Sequence, residues 1–383
     1  MESLITKIQQ EAASATYVER KKLLDTLRDL QYSIEAPEDT MQRVMHLNLQ
    51  FAVIHIALEL NLLGIIRESK APSNLHDLAA TLSLDPLLLD RLLRYLAALG
   101  VINEVGKDSY APNKYTFNLA KLEIQAGVKF YFENCNPAFQ EMPRYLAQTG
   151  YKNPTNFTDG IFQRGNKTDL ITFDFIHGDP SRSAGFNLFM KAQRGSQTKC
   201  FGIYPFEEES KGWSAEKPLF VDVGGGSGHQ TAAFKERFPN LPGRVILQDL
   251  PEPVEDAKAV VPGDVERMAH DFFKPQPIKG AKYYYLRMIL HDHIDENSIK
   301  ILQHLALVMG KESVILLDEM VLPPEHVDEV SMQADLDMMV VHSAMERSEE
   351  QWAKLVGAAG LNIDKVVIYA EGFNLGIVAC VLK

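Results

Sequence analysis

An α/β fold with a doubly wound, mostly parallel sheet in its C-terminal half, preceded by a helical domain, is predicted for this 383-residue chain by three observations. The first is LFVDVGGGSG, Leu219 to Gly228, an apolar strand opening into four glycines within five residues. A turn so poor in Cβ atoms lets backbone N–H groups approach a ligand, as in the nucleotide-binding loops that follow the first strand of such sheets. The second is an alternation of apolar, strand-like runs with helix-like runs after it, the pattern of a parallel sheet covered on both faces. The third is the end of the chain. Two strand candidates there are joined by only Glu371 to Asn374, too short for a crossover, so they must pair antiparallel.

The elements follow in order. From Glu2 to about Ala120 apolar residues recur at helical spacing, through Ile5, Ile8, Leu23, Leu24, Leu27 and Leu30 and again from Met41 to Ile66. A helix after Asp85-Pro86 has a capping acid, proline at its first position and Gly100 as its stop. Val101 to Pro112 reads as two short strands about a Gly-Lys-Asp turn, completing the outline of a winged helix. Its second helix, LLLDRLLRYLAAL, offers only Arg91 and Arg94 as cations, whereas a DNA-reading helix needs polar side chains for base edges and phosphates. A buried or dimerising role is predicted instead, and with it a homodimer. Segments rich in Pro, Gly, Asn and Asp, 153–165 and 177–183, lead into the second half, with domains expected over 1–180 and 181–383.

Strands are predicted at Leu219–Val223, Arg244–Gln248, Tyr283–Ile289, Val314–Leu317, Lys365–Tyr369 and Leu375–Leu382. Helices are predicted at His229–Phe238, Glu296–Met309 and Glu349–Ala359, the last with a Ser348/Gln351 capping box and Gly360 as terminator.

Composition bounds the function. A hydrophobic content of 46% is ample for buried cores, and a net charge of −12 carries no basic footprint for nucleic acid or an anionic membrane. Cys135, Cys200 and Cys380 are widely separated, which excludes a disulfide framework or a zinc-type spacing and fits a reducing cytoplasm. The polar start MESLITKIQQEAASA is not a secretory signal, and the apolar stretch Phe51–Ile66 is interrupted by His55, Glu59 and Asn61, as a core helix is.

The glycine loop lacks the Lys-Ser/Thr pair of a triphosphate site, and Asp222 lies two residues before its glycines. An acid at the tip of the first strand suits a ligand with a cationic amino-acid head. Asp249, ending the next strand in VILQDLP, is placed to hold ribose hydroxyls. S-adenosylmethionine satisfies both.

Six segments then resemble one family in order: VDVGGGSG, LQDLP, HDFF at His270–Phe273, LRMILHDH at Leu286–His293, DEMVLP at Asp318–Pro323 and MERSEEQW at Met345–Trp352. Together they resemble the class I S-adenosylmethionine-dependent O-methyltransferases of plant and fungal secondary metabolism, with a Rossmann-like sheet and a helical, winged-helix dimerisation domain. The resemblance implies His291 as the base that deprotonates an acceptor hydroxyl, Glu319 orienting its other ring nitrogen, and Glu346 as a second acid in the site. It also implies that Asp222, Gly224, Gly225 and Gly226 hold the methionine end, Asp249 the ribose, and Asp271 with Phe272 the adenine. Arg287 stands where the family carries a lysine near the adenine. Phe186 and Met190 match positions that sandwich a planar acceptor ring, a spacing equally ordinary in a core. His293 departs from the family's frequent tryptophan and is read as a loop residue. No acid cluster resembles an octahedral magnesium site, so no metal is expected.

The expected activity is O-methylation of a phenolic or enolic hydroxyl on a small secondary metabolite. The alternatives are a winged-helix regulator, disfavoured by charge, and a methyltransferase-like pericyclase or dehydratase that keeps the cofactor without transferring its methyl group.

Overall fold

A computed structural model describes residues 2–195 and 200–383, in two compact units. One unit comprises Met1–Pro143 and Gln163–Ser196, the other Arg144–Phe162 and Gln197–Lys383. The chain therefore passes between units more than once, a different division from the single boundary expected after residue 180.

In the first unit the winged-helix outline is present. Asp85 caps helix Pro86–Ala98 by accepting the Leu88 amide at 2.9 Å, with Pro86 at the first position. That helix buries Leu89, Leu93 and Leu96 on one face, against Leu62, Leu63 and Ile66. Strands β1 (Ser73–Asn74), β2 (Asn103–Gly106) and β3 (Ser109–Ala111) pair antiparallel in the order β1-β3-β2. Among the described residues no single helix is long and apolar enough to cross a membrane. Helices Leu47–Glu59 and Leu62–Glu68 pass that test only jointly, with a 63° bend between them, and both pack into the unit's core.

Helices Tyr17–Ile34 and Pro37–Met45 have no buried residue. Leu24, Leu30, Ile34 and Met45 are 56%, 55%, 76% and 65% exposed, which leaves a continuous apolar face without cover in one chain. The expected cover is a second copy of the chain. Light scattering at micromolar concentration should give twice the chain mass, and Leu24→Glu with Leu30→Glu should shift it toward monomer; a wild-type monomer would refute this.

The second unit carries β4 (Pro218–Val223), β5 (Arg244–Asp249), β6 (Glu266–Ala269), β7 (Tyr283–Arg287), β8 (Val314–Leu322), β9 (Arg347–Ser348), β10 (Leu361–Ala370) and β11 (Leu375–Leu382). Their order is β10-β11-β8-β7-β4-β5-β6, with β9 beside the end of β8. The pairs from β8 through β6 are parallel, and β11 is antiparallel to both β8 and β10. Alternate side chains feed two cores. Phe220, Tyr283 and Tyr285 enter one with Phe206 and Phe234, while Val221, Tyr284 and Leu286 enter the other with Leu317 and Trp352. Continuous apolar runs such as LFV and YYYL follow from that two-sided burial.

The predicted helices appear as His229–Arg237, Asp295–Ala306 and Glu349–Ala358, the last with its Ser348/Gln351 capping box and with Gly360 at φ +87°. Four differences have physical reasons. Edge strand β6 escaped notice because ERMA is polar and only half covered. β8 runs on to Leu322 because the acids Asp318 and Glu319, which interrupt its apolar pattern, are themselves buried, Asp318 against Arg287 and Glu319 against the amides of Ile289 and Leu290. β7 stops at Arg287 because Met288 takes φ +50°. The expected crossing at 177–183 instead starts helix Pro180–Gly195, where Asp179 accepts the Arg182 amide and Pro180 opens the first turn.

Candidate active site

The carboxyl ends of β4, β5, β7 and β8 lie along one sheet edge, where open α/β sheets bind ligands. The glycine loop after β4 is bound to β5: the amides of Gly224 and Gly225 donate to Gln248 O at 2.8 and 3.1 Å, and Gly226 N donates to Asp249 Oδ2 at 2.7 Å. Gly225 leaves no room for a side chain, since a Cβ would stand 2.6 Å from Asp222 Cγ. Gly226, at φ +57°, faces open space instead. Asp249 is half-buried, and its Oδ1 also accepts the Leu250 amide at 2.7 Å. Asp222 is only 1% exposed; it lies beneath the loop and accepts the Thr231 hydroxyl at 2.6 Å. Burial, with Asp249 adding to it, pushes its pKa up to about 7. It thus supports the loop from below rather than presenting itself on the open side.

Phe272 reaches this loop: a Cβ on Gly224 would lie 3.4 Å from its ring. Asp271 turns the chain beside it by accepting the Phe273 amide at 2.9 Å. Arg287, expected near an adenine, donates to Asp318 Oδ2 at 2.6 Å and to the Tyr369 hydroxyl at 2.7 Å in the core, a buried pair whose breakage costs about 3–5 kcal/mol. His293 packs edge-on against Phe272 and Phe273, and burial pulls its pKa down to about 4. It is a neutral packing residue.

The base cluster forms where β7 ends. The left-handed turn at Met288 aims the amides of Ile289 and Leu290 at Glu319, whose Oε1 accepts them at 2.9 and 2.8 Å. His291 follows in a 3-10 turn, Leu290–Asp292. Its Nδ1 lies 2.7 Å from Glu346 Oε1, so Glu346, and not Glu319 as expected, orients the ring. Glu319 is the backbone anchor of the same turn. Both acids are almost wholly buried, and Glu319 Oε2 and Glu346 Oε2 are buried without a hydrogen-bond partner. Burial works against an imidazolium at His291, but Asp292, Glu346 and Glu319 outweigh it and push its pKa up to about 10. Burial likewise raises Glu319 to about 7.

Two residues that sequence reasoning missed adjoin this turn, and the first of them holds it. Arg347, 1% exposed, donates to Leu290 O and His293 O at 3.0 and 3.1 Å and pairs with Asp295 at 2.7 Å. Its place in MERSEE, next to Glu346, was the available signal. The second, His342, lies 3.4 Å from Asp292 Oδ1.

Two groups of described residues have spacings that could hold a cation. In His55–Glu59–Glu133 the Lys129 ammonium already supplies it, at 2.9 Å from Glu59 and 3.7 Å from Glu133. His291–Glu319–Glu346 is the base cluster itself. Phe186 and Met190 lie on helix Pro180–Gly195 of the first unit, both half-buried; the Phe186 ring packs on Phe130, with centroids 5.2 Å apart.

The O-methyltransferase domain matches residues 212–362 and the O-methyltransferase dimerisation domain residues 42–119. The chain is 37% identical over 381 residues to the O-methyltransferase ucdC of Aspergillus ustus, covering 100% of this chain and 99% of that protein. Among solved structures it is similar to the LepI complex with SAM, at 34% identity and a TM-score of 0.90, covering 100% of this chain and 98% of the other. It is equally similar to a structure described as a pericyclic reaction enzyme, at 34% identity and 0.90, covering 100% and 99%. With its glycine loop, sheet order and two matching domains, this chain belongs to the O-methyltransferase family, and carries that family's class I S-adenosylmethionine methyltransferase fold behind an N-terminal dimerisation domain.

Proposed function

We propose that the protein methylates a phenolic or enolic hydroxyl of a small secondary metabolite, with His291 removing the hydroxyl proton. One observation carries this reading: a buried imidazole fixed through Nδ1 by Glu346, at the sheet edge beside the glycine loop. S-adenosylmethionine supplies the electrophilic methyl group. The residues present fit it, because half-buried Asp249 ends β5 beside the glycine loop and the open side of Gly226 admits the ligand's approach. Asp249 takes the ribose hydroxyls, Gly224 to Gly226 line the methionine end with Asp222 bracing them from below, and Asp271 with Phe272 takes the adenine.

The carboxylates around His291 push its imidazolium up to about 10, well above the usual imidazole range. Only the neutral imidazole accepts a proton. Its fraction grows about tenfold per pH unit below that value, so single-turnover methyl transfer should rise with pH on the alkaline side of neutrality. Glu346→Gln removes a carboxylate that raises the pKa and should move the limb down by about one unit or more. A profile flat from pH 6 to 9 in the wild type counts against His291 as the base.

The second reading, a pericyclase or dehydratase that keeps the cofactor, is favoured by the similarity to a pericyclic reaction enzyme. Against it stands the complete set of His291, Glu319 and Glu346, which a reaction without deprotonation does not need. Methyl-labelled cofactor with a panel of polyketide-like phenols and enols distinguishes the two. Label in the product supports methyl transfer; product at full rate with the donor unconsumed overturns it.

A further inference from the structure

Glu346 orients the His291 ring, yet its own side chain has no second anchor. Its Oε1 bonds to His291 Nδ1 at 2.7 Å, and its Oε2 is buried without a hydrogen-bond partner. Glu319, the other buried acid, is fixed by two backbone amides instead. A carboxylate without a second partner points where its backbone places it, so whatever fixes the Glu346 backbone also fixes the ring.

That backbone is held from two sides. On one, β9 pairs with β8 at the next residue, Arg347 opposite Val321. On the other, the Glu346 amide donates to Asp335 Oδ1 at 2.9 Å, a bond to a carboxylate and therefore stronger than one to a neutral acceptor. Asp335 is half-buried on helix Glu329–His342, and between it and Glu346 the chain turns at left-handed Ser343, φ +56°, whose hydroxyl donates to Asn156 O at 2.9 Å. The Asp335 bond closes this turn and latches the helix to the segment that carries Glu346. The charges acting on Asp335 are those of Glu346 and Arg347, which oppose each other, and those acting on His291 are Asp292, Glu346 and Glu319, with His342 beside Asp292. Asp335 bonds to Glu346 and not to the imidazole, so its influence on the ring passes through Glu346. Resting on the reading of His291 as the base, we propose that Asp335 is a positioning residue: by holding the Glu346 amide it keeps the Glu346 carboxylate on His291 Nδ1 and leaves Nε2 aimed at the acceptor hydroxyl.

The experiment compares Asp335→Ala, which lacks an acceptor, with Asp335→Asn, which keeps one, in the full chain. Read-outs are calorimetric affinity for S-adenosylhomocysteine and the pH profile of labelled methyl transfer to the phenol panel. In the alanine variant the Glu346 carboxylate loosens, so turnover should fall about tenfold and the alkaline limb should move down by about half a pH unit, with cofactor affinity unchanged. The asparagine variant should recover most of both. Placed in a Glu346→Ala background, the same alanine substitution should cost less than about twofold, because the side chain it acts through is gone. An alanine profile superimposable on wild type, an asparagine variant no better than alanine, or the full tenfold loss in the Glu346→Ala background overturns the proposal. If Asp335→Ala loses cofactor affinity, Asp335→Leu, which refills the space without an acceptor, replaces it under the same criteria. Failure of the base reading is separate: it appears as methyl transfer surviving in His291→Ala, whatever Asp335 does.

Discussion

His291→Ala should reduce methyl transfer by about 10²- to 10⁴-fold, the usual contribution of a positioned general base. The effect falls on turnover because the imidazole lies on the turn after β7, while the residues proposed to hold the cofactor are the glycine loop and the ends of β5 and β6. Calorimetry should therefore give an affinity for S-adenosylhomocysteine within about a factor of two or three of wild type, less than 1 kcal/mol. Truncation also leaves Glu346 Oε1 buried and unpaired beside the already unpaired Oε2, so some thermal stability goes with it. His291→Asn, which can still donate to Glu346, should restore stability but not turnover. Turnover recovered by His291→Asn would assign the ring a scaffolding role.

Asp249→Ala should weaken cofactor binding by about 3 kcal/mol, roughly 100-fold in Kd, since hydrogen bonds to a charged group contribute about 1.5–3 kcal/mol each. Two losses combine. The proposed ribose contacts disappear, and so do the acceptors of the Gly226 and Leu250 amides, which leaves the loop untethered on the side where ligand approaches. Asp249→Asn keeps one acceptor oxygen and should lose about half as much. Titration with S-adenosylmethionine and with its demethylated product separates these outcomes. Unchanged affinity in the alanine variant would remove Asp249 from the site.

Much of this fold and part of its site are legible in the chain itself. Apolar runs such as LFV, RVIL and YYYL make strands because both faces of the sheet are covered, and the four-residue connection at Glu371–Asn374 permits only an antiparallel pair. Asp85-Pro86 and Ser348 with Gln351 announce helix starts through local capping, which needs no tertiary partner. The order of six short segments points to the family and to His291, because chemistry at the carboxyl edge depends on which residue follows which strand. Tertiary structure decided the rest. Glu346 rather than Glu319 meets His291 because the end of β8 turns Glu319 onto two backbone amides, while β9, pairing beside β8, carries the neighbouring Glu346 to the ring. Asp222 and Arg287, both plausible ligand contacts in one dimension, are absorbed by Thr231 and by Asp318 with Tyr369 once the strands are stacked. His342 and Arg347 come beside this turn from 50 or more residues away. Spacing along the chain encodes what neighbours do to each other; which distant carboxylate meets which imidazole is set by strand order and packing, and only the folded chain brings them together.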